Sequence, residues 1–208
     1  MAALEHSAAE RFDAVAREVF APLYPVMAGR ILTESGLDTG QCLDIGCGSG
    51  WLGIALARQS EMELTFCDAS ETMLEIADGH LAEAGLETRS RCVQGDVHDL
   101  PFETAAFDLV ISRGSFPFWE RPEQAAAEIF RVLKPGGTAF IGGGFGNREI
   151  QREVFKKMEA RDPQWQERIK RHGVPRAVPR LIEGVLSLEA KDVAVTRDER
   201  GLMIRFGR

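Results

Sequence analysis

Asp44 stands two residues ahead of Gly46, and Gly48 and Gly50 follow at alternate positions in the run Gln41-Cys42-Leu43-Asp44-Ile45-Gly46-Cys47-Gly48-Ser49-Gly50. Residues suited to a buried strand lead directly into the glycines. Glycine has no side chain and accepts dihedrals that other residues resist, so the backbone of such a turn can come into contact with a ligand. Asp44 adds a carboxylate at the carboxyl end of the strand, where ligands of open α/β sheets bind. A carboxylate repels a pyrophosphate and attracts a cationic head. The chemistry asked for is therefore capture of a cationic ligand without phosphate.

The elements that must position these groups alternate along the chain. Helical spacing of Phe12, Val15, Ala16, Val19 and Phe20 predicts a helix over 7–20, and a second over 22–35 starts at Pro22. Strands are expected near 41–46, 64–69, 89–95, 107–112 and 138–143, with helices near 50–60, 70–84 and 121–133 between most of them. Strands separated by helix-length segments imply right-handed crossovers and a parallel sheet covered on both faces. Lys134-Pro135-Gly136-Gly137 reads as the stop of the helix before the fifth strand. Residues 191–197 and 202–206, joined by Asp198-Glu199-Arg200-Gly201, read as a hairpin that ends the sheet antiparallel. The stretch before them is expected to be helical to about 171 and then broken by Pro175 and Pro179. The fold class is α/β: a Rossmann-like, doubly wound, seven-stranded, mostly parallel sheet with an antiparallel C-terminal hairpin strand and an N-terminal helical cap.

The 208 residues suit one domain, expected to comprise a helical cap (1–36), a cofactor-binding core (37–145), a helical lid (146–189) and a terminal strand pair (190–208). A net charge of -7 opposes broad binding to nucleic acid, which relies on clustered Lys and Arg. No stretch reaches the length of a membrane span and the start lacks a signal-peptide core, so a cytoplasmic location without membrane contact is expected. Cys42, Cys47, Cys67 and Cys92 show no Cys-x-x-Cys pair and read as buried free thiols, and no metal site is expected.

The chain resembles the class I S-adenosylmethionine-dependent methyltransferases of small-molecule type from about residue 10 to 145. The resemblance rests on Leu43 to Gly50, on Asp68 in Phe66-Cys67-Asp68-Ala69-Ser70 with Met73-Leu74 following, and on Gly95-Asp96-Val97 with Asp99-Leu100-Pro101-Phe102. Phe107 to Ser112 and Leu133 to Gly137 complete it in order and spacing. S-adenosylmethionine, with its ammonium, its sulfonium and no phosphate, also meets the demand of Asp44. The resemblance implies that Asp44 and the backbone of Gly46, Cys47, Gly48 and Gly50 hold the methionine portion. It further implies that Asp68 accepts from the ribose hydroxyls, Asp96 and the Val97 amide meet the adenine, Ala69 and Met73 cover its faces, and the Ser112 carbonyl meets the ammonium. The activity implied is methyl transfer to a small molecule by in-line displacement, through proximity and desolvation rather than an obligatory catalytic residue.

The acceptor side is less defined. Arg113, Ser115, Phe116 and Trp119 fall where the family places acceptor contacts, and Arg113 has the chemistry to anchor a carboxylate or phosphate, which points to an anionic acceptor. The same aromatics, with Phe118, equally suit packing of the next helix on the sheet. Tyr24 in the cap reads either as a contact to sulfonium or acceptor or as packing. His98 reads as a surface turn residue rather than a base. Residues 148–180 carry twice as many basic as acidic side chains, which suits a solvated helix face as well as a basic lid. Gly142 to Gly146 is read as a close approach to ligand or as a hinge. Two other functions remain open: a noncatalytic S-adenosylmethionine-binding protein, and an NAD-dependent oxidoreductase, because Gly48-Ser49-Gly50-Trp51-Leu52-Gly53 also spells the dinucleotide pattern. The oligomeric state is open between monomer and homodimer.

Overall fold

A computed structural model describes the backbone of residues 2–167 and 174–208, and side chains within 6–167 and 177–208. Its elements run α1 (Ala2–Val15), a π-helical turn (Ala16–Phe20), α2 (Leu23–Ser35), β1 (Thr39–Ile45), α3 (Trp51–Ala57), β2 (Glu61–Asp68), α4 (Glu71–Ala84) and β3 (Ser90–Gln94). The second half runs β4 (Phe107–Arg113), α5 (Pro122–Val132), β5 (Leu133–Gly144), α6 (Arg148–Arg161), α7 (Val174–Leu186), β6 (Lys191–Asp198) and β7 (Gly201–Gly207).

The seven strands form one sheet in the order β3-β2-β1-β4-β5-β7-β6. The five N-terminal strands pair in parallel, and β7 runs antiparallel to both β5 and β6. The order reverses direction between β1 and β4, which opens a crevice at their carboxyl ends. Alternation along β1 sends Cys42 to a core shared with α2 and α3, and Leu43 and Ile45 to a core shared with α5 and α7. Both faces of the sheet are therefore buried, as parallel pairing requires.

Three details depart from the sequence reading. Lys134 to Gly137 belongs to β5, not to a helix stop: α5 ends at Val132, and the run forms a bulge between the pairs Phe107–Leu133 and Leu109–Thr138. The bulge is held by the Lys134 ammonium, which donates to Asp108 at 2.7 Å, and by the Gly136 N–H, which donates to the Arg208 carbonyl at 2.8 Å. Second, α6 stops at Arg161, and Pro175 and Pro179 lie inside α7 rather than breaking it; part of the expected helix to 171 lies outside the described residues. Pro175 falls in the first turn, where no intrahelical N–H bond is lost, and burial of Leu181 and Val185 against α5 offsets the bond forfeited at Pro179. Third, within the bare run Gly142 to Gly146, Gly142 and Gly144 reflect strand packing. A Cβ at Gly142 would lie 3.0 Å from the Met203 Cα, and one at Gly144 2.6 Å from the Gly201 Cα, so the β5 and β7 backbones meet too closely for side chains there.

Candidate cofactor and acceptor site

The loops leaving β1 to β4 enclose a cavity of about 620 Å³, closed on one side by Phe12 of α1 and Tyr24 of α2. Asp44 reaches it from β1, Asp68 from β2, Asp96 from the turn after β3, and Arg113 from β4. Three acids thus stand in a row across neighbouring strand ends.

Asp44 is only 2% exposed, and its Oδ2 accepts the Gly53 N–H at 3.0 Å. Glycine is required at 53: a Cβ there would lie 2.7 Å from the Phe66 Cζ and 3.0 Å from the Asp44 Oδ2. Burial pushes the Asp44 carboxyl up to about 8; the Gly53 N–H opposes this, and the charge of Asp68 adds to it. One N–H does not replace the hydration of a buried carboxylate, so Asp44 favours a cation beside it.

Asp68 uses one oxygen to accept the Gly48 N–H at 2.9 Å and the other to accept the Ser70 N–H at 3.0 Å. It thereby ties the glycine loop to the start of α4, which Ser70 caps through the Met73 N–H. Two of roughly four lone-pair positions remain on an ionised carboxylate for further donors. Gly46, Gly48 and Gly50 all have positive φ, at 61°, 54° and 85°, so this turn demands glycines for its backbone shape. Gly46 also lies against Ser115, whose Oγ would be 2.8 Å from a Cβ at 46.

The side chain of Asp96 is largely exposed, and its Oδ1 accepts the His98 backbone N–H at 2.9 Å and meets the His98 Nδ1 at 2.5 Å. The His98 N–H bond in particular holds the Asp96 carboxyl below the usual range. The reading of His98 as a surface residue is corrected: it is 9% exposed and lines the cavity. Its Nε2 accepts the Arg121 backbone N–H at 3.2 Å, which places the ring proton on Nδ1 for donation to Asp96. With both nitrogens committed, His98 fixes the adjoining loops together and has no lone pair for base chemistry.

Ala69, Met73, Val97, Cys47, Ser115, Trp119, Tyr24 and Arg113 also line the cavity. Gly50, Ser112 and Phe116 do not. Gly50 starts α3 against Phe66 and Ala77; the Ser112 hydroxyl donates to the Ile45 carbonyl at 2.7 Å and meets the Ser115 hydroxyl at 2.5 Å; Phe116 is buried in the α5–α7 core. The Cys47 N–H is committed to the Cys67 carbonyl at 3.2 Å, and burial pushes its thiol well above the ordinary value. All four cysteines are free, and among the described residues no cluster of His, Cys, Asp and Glu has metal-binding geometry.

Phe12, Trp51, Phe118, Glu120 and Arg121 also line the cavity. Phe12 gets there through Asp13, whose Oδ1 accepts the Trp51 indole N–H at 2.9 Å and whose Oδ2 lies 3.5 Å from the His80 Nε2. An acid on the buried side of a helix is the one local signal of this latch, and it does not say which distant residues answer it.

Residues 43–141 match the family model described as a methyltransferase domain. A crystallised Methanococcus maripaludis protein, assigned as an S-adenosyl-L-methionine-dependent methyltransferase, is 37% identical, with a TM-score of 0.91 over 98% of this chain and 93% of its own. The chain belongs to the S-adenosylmethionine-dependent methyltransferases. Among curated relatives, 2-methyl-6-phytyl-1,4-hydroquinone methyltransferase 2 of rice is 30% identical over 64% of this chain and 44% of its own length. The ubiquinone/menaquinone biosynthesis C-methyltransferase of a Marinomonas strain is 28% identical over 65% and 55%. The chain spans about half the length of these curated relatives.

The residues present fit the family's cofactor. A buried carboxyl pushed up to about 8, whose ionisation a neighbouring ammonium would favour, and a second carboxylate with acceptor capacity to spare suit an ammonium and a ribose diol, and the charge of Asp68 would oppose a pyrophosphate.

Proposed function

We propose that this protein transfers a methyl group from S-adenosylmethionine to a small-molecule acceptor. The observation that carries the reading is the row of Asp44, Asp68 and Asp96 along one cavity at the carboxyl ends of β1 to β3. In this reading Asp44 and the loop from Gly46 to Gly48 hold the amino-acid end, Asp68 accepts from the ribose hydroxyls, and Asp96 with the Val97 amide meets the adenine between Ala69 and Met73. When bound, the cofactor supplies a methyl group on a sulfonium, already a good leaving group. The chain's own residues then act by position: Tyr24, Phe12 and Trp119 exclude water, and Arg113 and Ser115 face the acceptor. Phe116 serves packing. The quinol-methylating relatives support a small organic acceptor, and Arg113 in the wall favours one with negative charge. The reading treats the chain as one domain with α1 and α2 as its cap, acting in the cytoplasm without nucleic acid; no helix among the described residues is long and apolar enough to cross a membrane.

Replacement of Asp68 by Ala is expected to weaken S-adenosylhomocysteine binding by about 1–3 kcal/mol, the scale of hydrogen bonds to a charged group. Isothermal titration calorimetry reads this directly, and unchanged affinity removes the assigned role. A screen with methyl-labelled cofactor against a small-molecule extract tests transfer itself; binding without any labelled product would mark a noncatalytic binder.

A further inference from the structure

Arg113 carries a partly buried charge with no ion-pair partner among the described residues. Its Cζ lies 5.1 Å from the Phe20 ring centroid and 5.9 Å from that of Tyr24, and one Nη donates to the Gly144 carbonyl at 3.0 Å. Its Nε is buried and finds no acceptor. Among the described residues no carboxylate forms an ion pair with it, and burial pulls its pKa below the ordinary guanidinium value, an effect opposed only by Tyr24. A cation taken out of water without a partner destabilises a fold, and an apolar side chain of similar volume would pack there at less cost. Two faces of aromatic carbon and one carbonyl leave its five N–H donors short of acceptors.

Its place in the sheet separates it from the three aspartates, while Glu120, on the loop after β4, lines the same cavity. Asp44, Asp68 and Asp96 follow β1, β2 and β3, whereas Arg113 leaves β4 toward β5, on the other side of the crevice. Phe118 lines the same cavity yet is 79% exposed, an apolar ring available to a ligand entering it.

We propose that Arg113 is an oxyanion anchor, and that the methyl acceptor is a small organic anion with an apolar body, held by its carboxylate or phosphate. The proposal rests on the methyl-transfer reading above. The amino-acid carboxylate of the cofactor offers the same chemistry, so the test separates the two sources.

The test uses the full chain saturated with S-adenosylhomocysteine and titrated with phenylacetate, phenyl phosphate and the neutral phenylacetamide, read by calorimetry. Wild type is expected to prefer an anion over the amide by about tenfold or more; Arg113→Met abolishes the preference, Arg113→Lys keeps part of it, and all three bind S-adenosylhomocysteine within about threefold. Equal binding of anions and amide to wild type overturns the anchor, as does a preference that survives in Arg113→Met. A loss of about tenfold in S-adenosylhomocysteine affinity in Arg113→Met, with 5′-methylthioadenosine affinity unchanged, gives the guanidinium to the cofactor carboxylate and overturns the acceptor assignment. Failure of wild type to bind S-adenosylhomocysteine defeats the methyl-transfer reading instead, and the same anion titrations on the ligand-free protein then decide the anchor. Arg113→Lys retains a charge at the site and covers the case in which the Met variant does not fold.

Discussion

Asp44 is held largely protonated near neutral pH by its burial, and this sets two pH dependences. A carboxyl raised from 3.8 to about 8 on folding contributes stability that is complete below about pH 4 and is lost as pH rises toward 8, because ionisation is easier in the unfolded chain. Asp44→Asn removes that slope. The ligand-free wild type should lose melting temperature between pH 5 and 8 faster than the variant does, as read by differential scanning fluorimetry; parallel curves would mean that Asp44 ionises normally. Binding runs the opposite way. The ammonium of S-adenosylhomocysteine favours the ionised carboxylate, so its affinity should rise through pH 6 to 8, by at most about tenfold per pH unit, and then level. The Asn variant should bind weakly and without that rise.

The glycine turn shows what an element demands apart from its ligand. Gly46 combines positive φ with contact against Ser115, so Gly46→Ala should be destabilising by about 1–3 kcal/mol through overpacking. Adding Ser115→Gly should recover part of this and leave the dihedral strain; purely additive losses in urea unfolding would show that the two residues do not couple. The strands were legible because β1, β2 and β4 are apolar runs bounded by turn residues, and Asp44 stood out as a charge inside one of them. The bulge at Lys134 to Gly137 was not legible, since Pro and Gly after a helix announce a stop whether or not the next strand has begun. Pro179 inside α7 was misread because its cost is local while the burial that offsets it comes from α5, distant in sequence. His98 was misplaced for the same reason: its partners Arg121 and Gln124 come from the next crossover.

At the scale of the molecule, the cap is joined to the core by polar contacts across long sequence separations. Asp13→Ala would leave the Trp51 indole N–H without its acceptor and free α1 from α3 and α4. Faster amide hydrogen exchange confined to residues 6–20, with strand protection intact, is expected, together with a loss of about 1–2 kcal/mol. Unchanged exchange in α1 would show that apolar packing alone holds the cap. In the proposed reading the charges follow the same division: Asp44, Asp68 and Asp96 at β1 to β3 receive the cofactor, and Arg113 at the end of β4 faces the acceptor.

The account stands on a cavity that selects a sulfur nucleoside bearing an ammonium and no phosphate, and that rejects a dinucleotide. Calorimetry of the intact chain with S-adenosylhomocysteine and with NAD, in parallel, tests that selection most directly. One S-adenosylhomocysteine bound per chain and no heat from NAD is the predicted result. NAD binding without S-adenosylhomocysteine binding would contradict it.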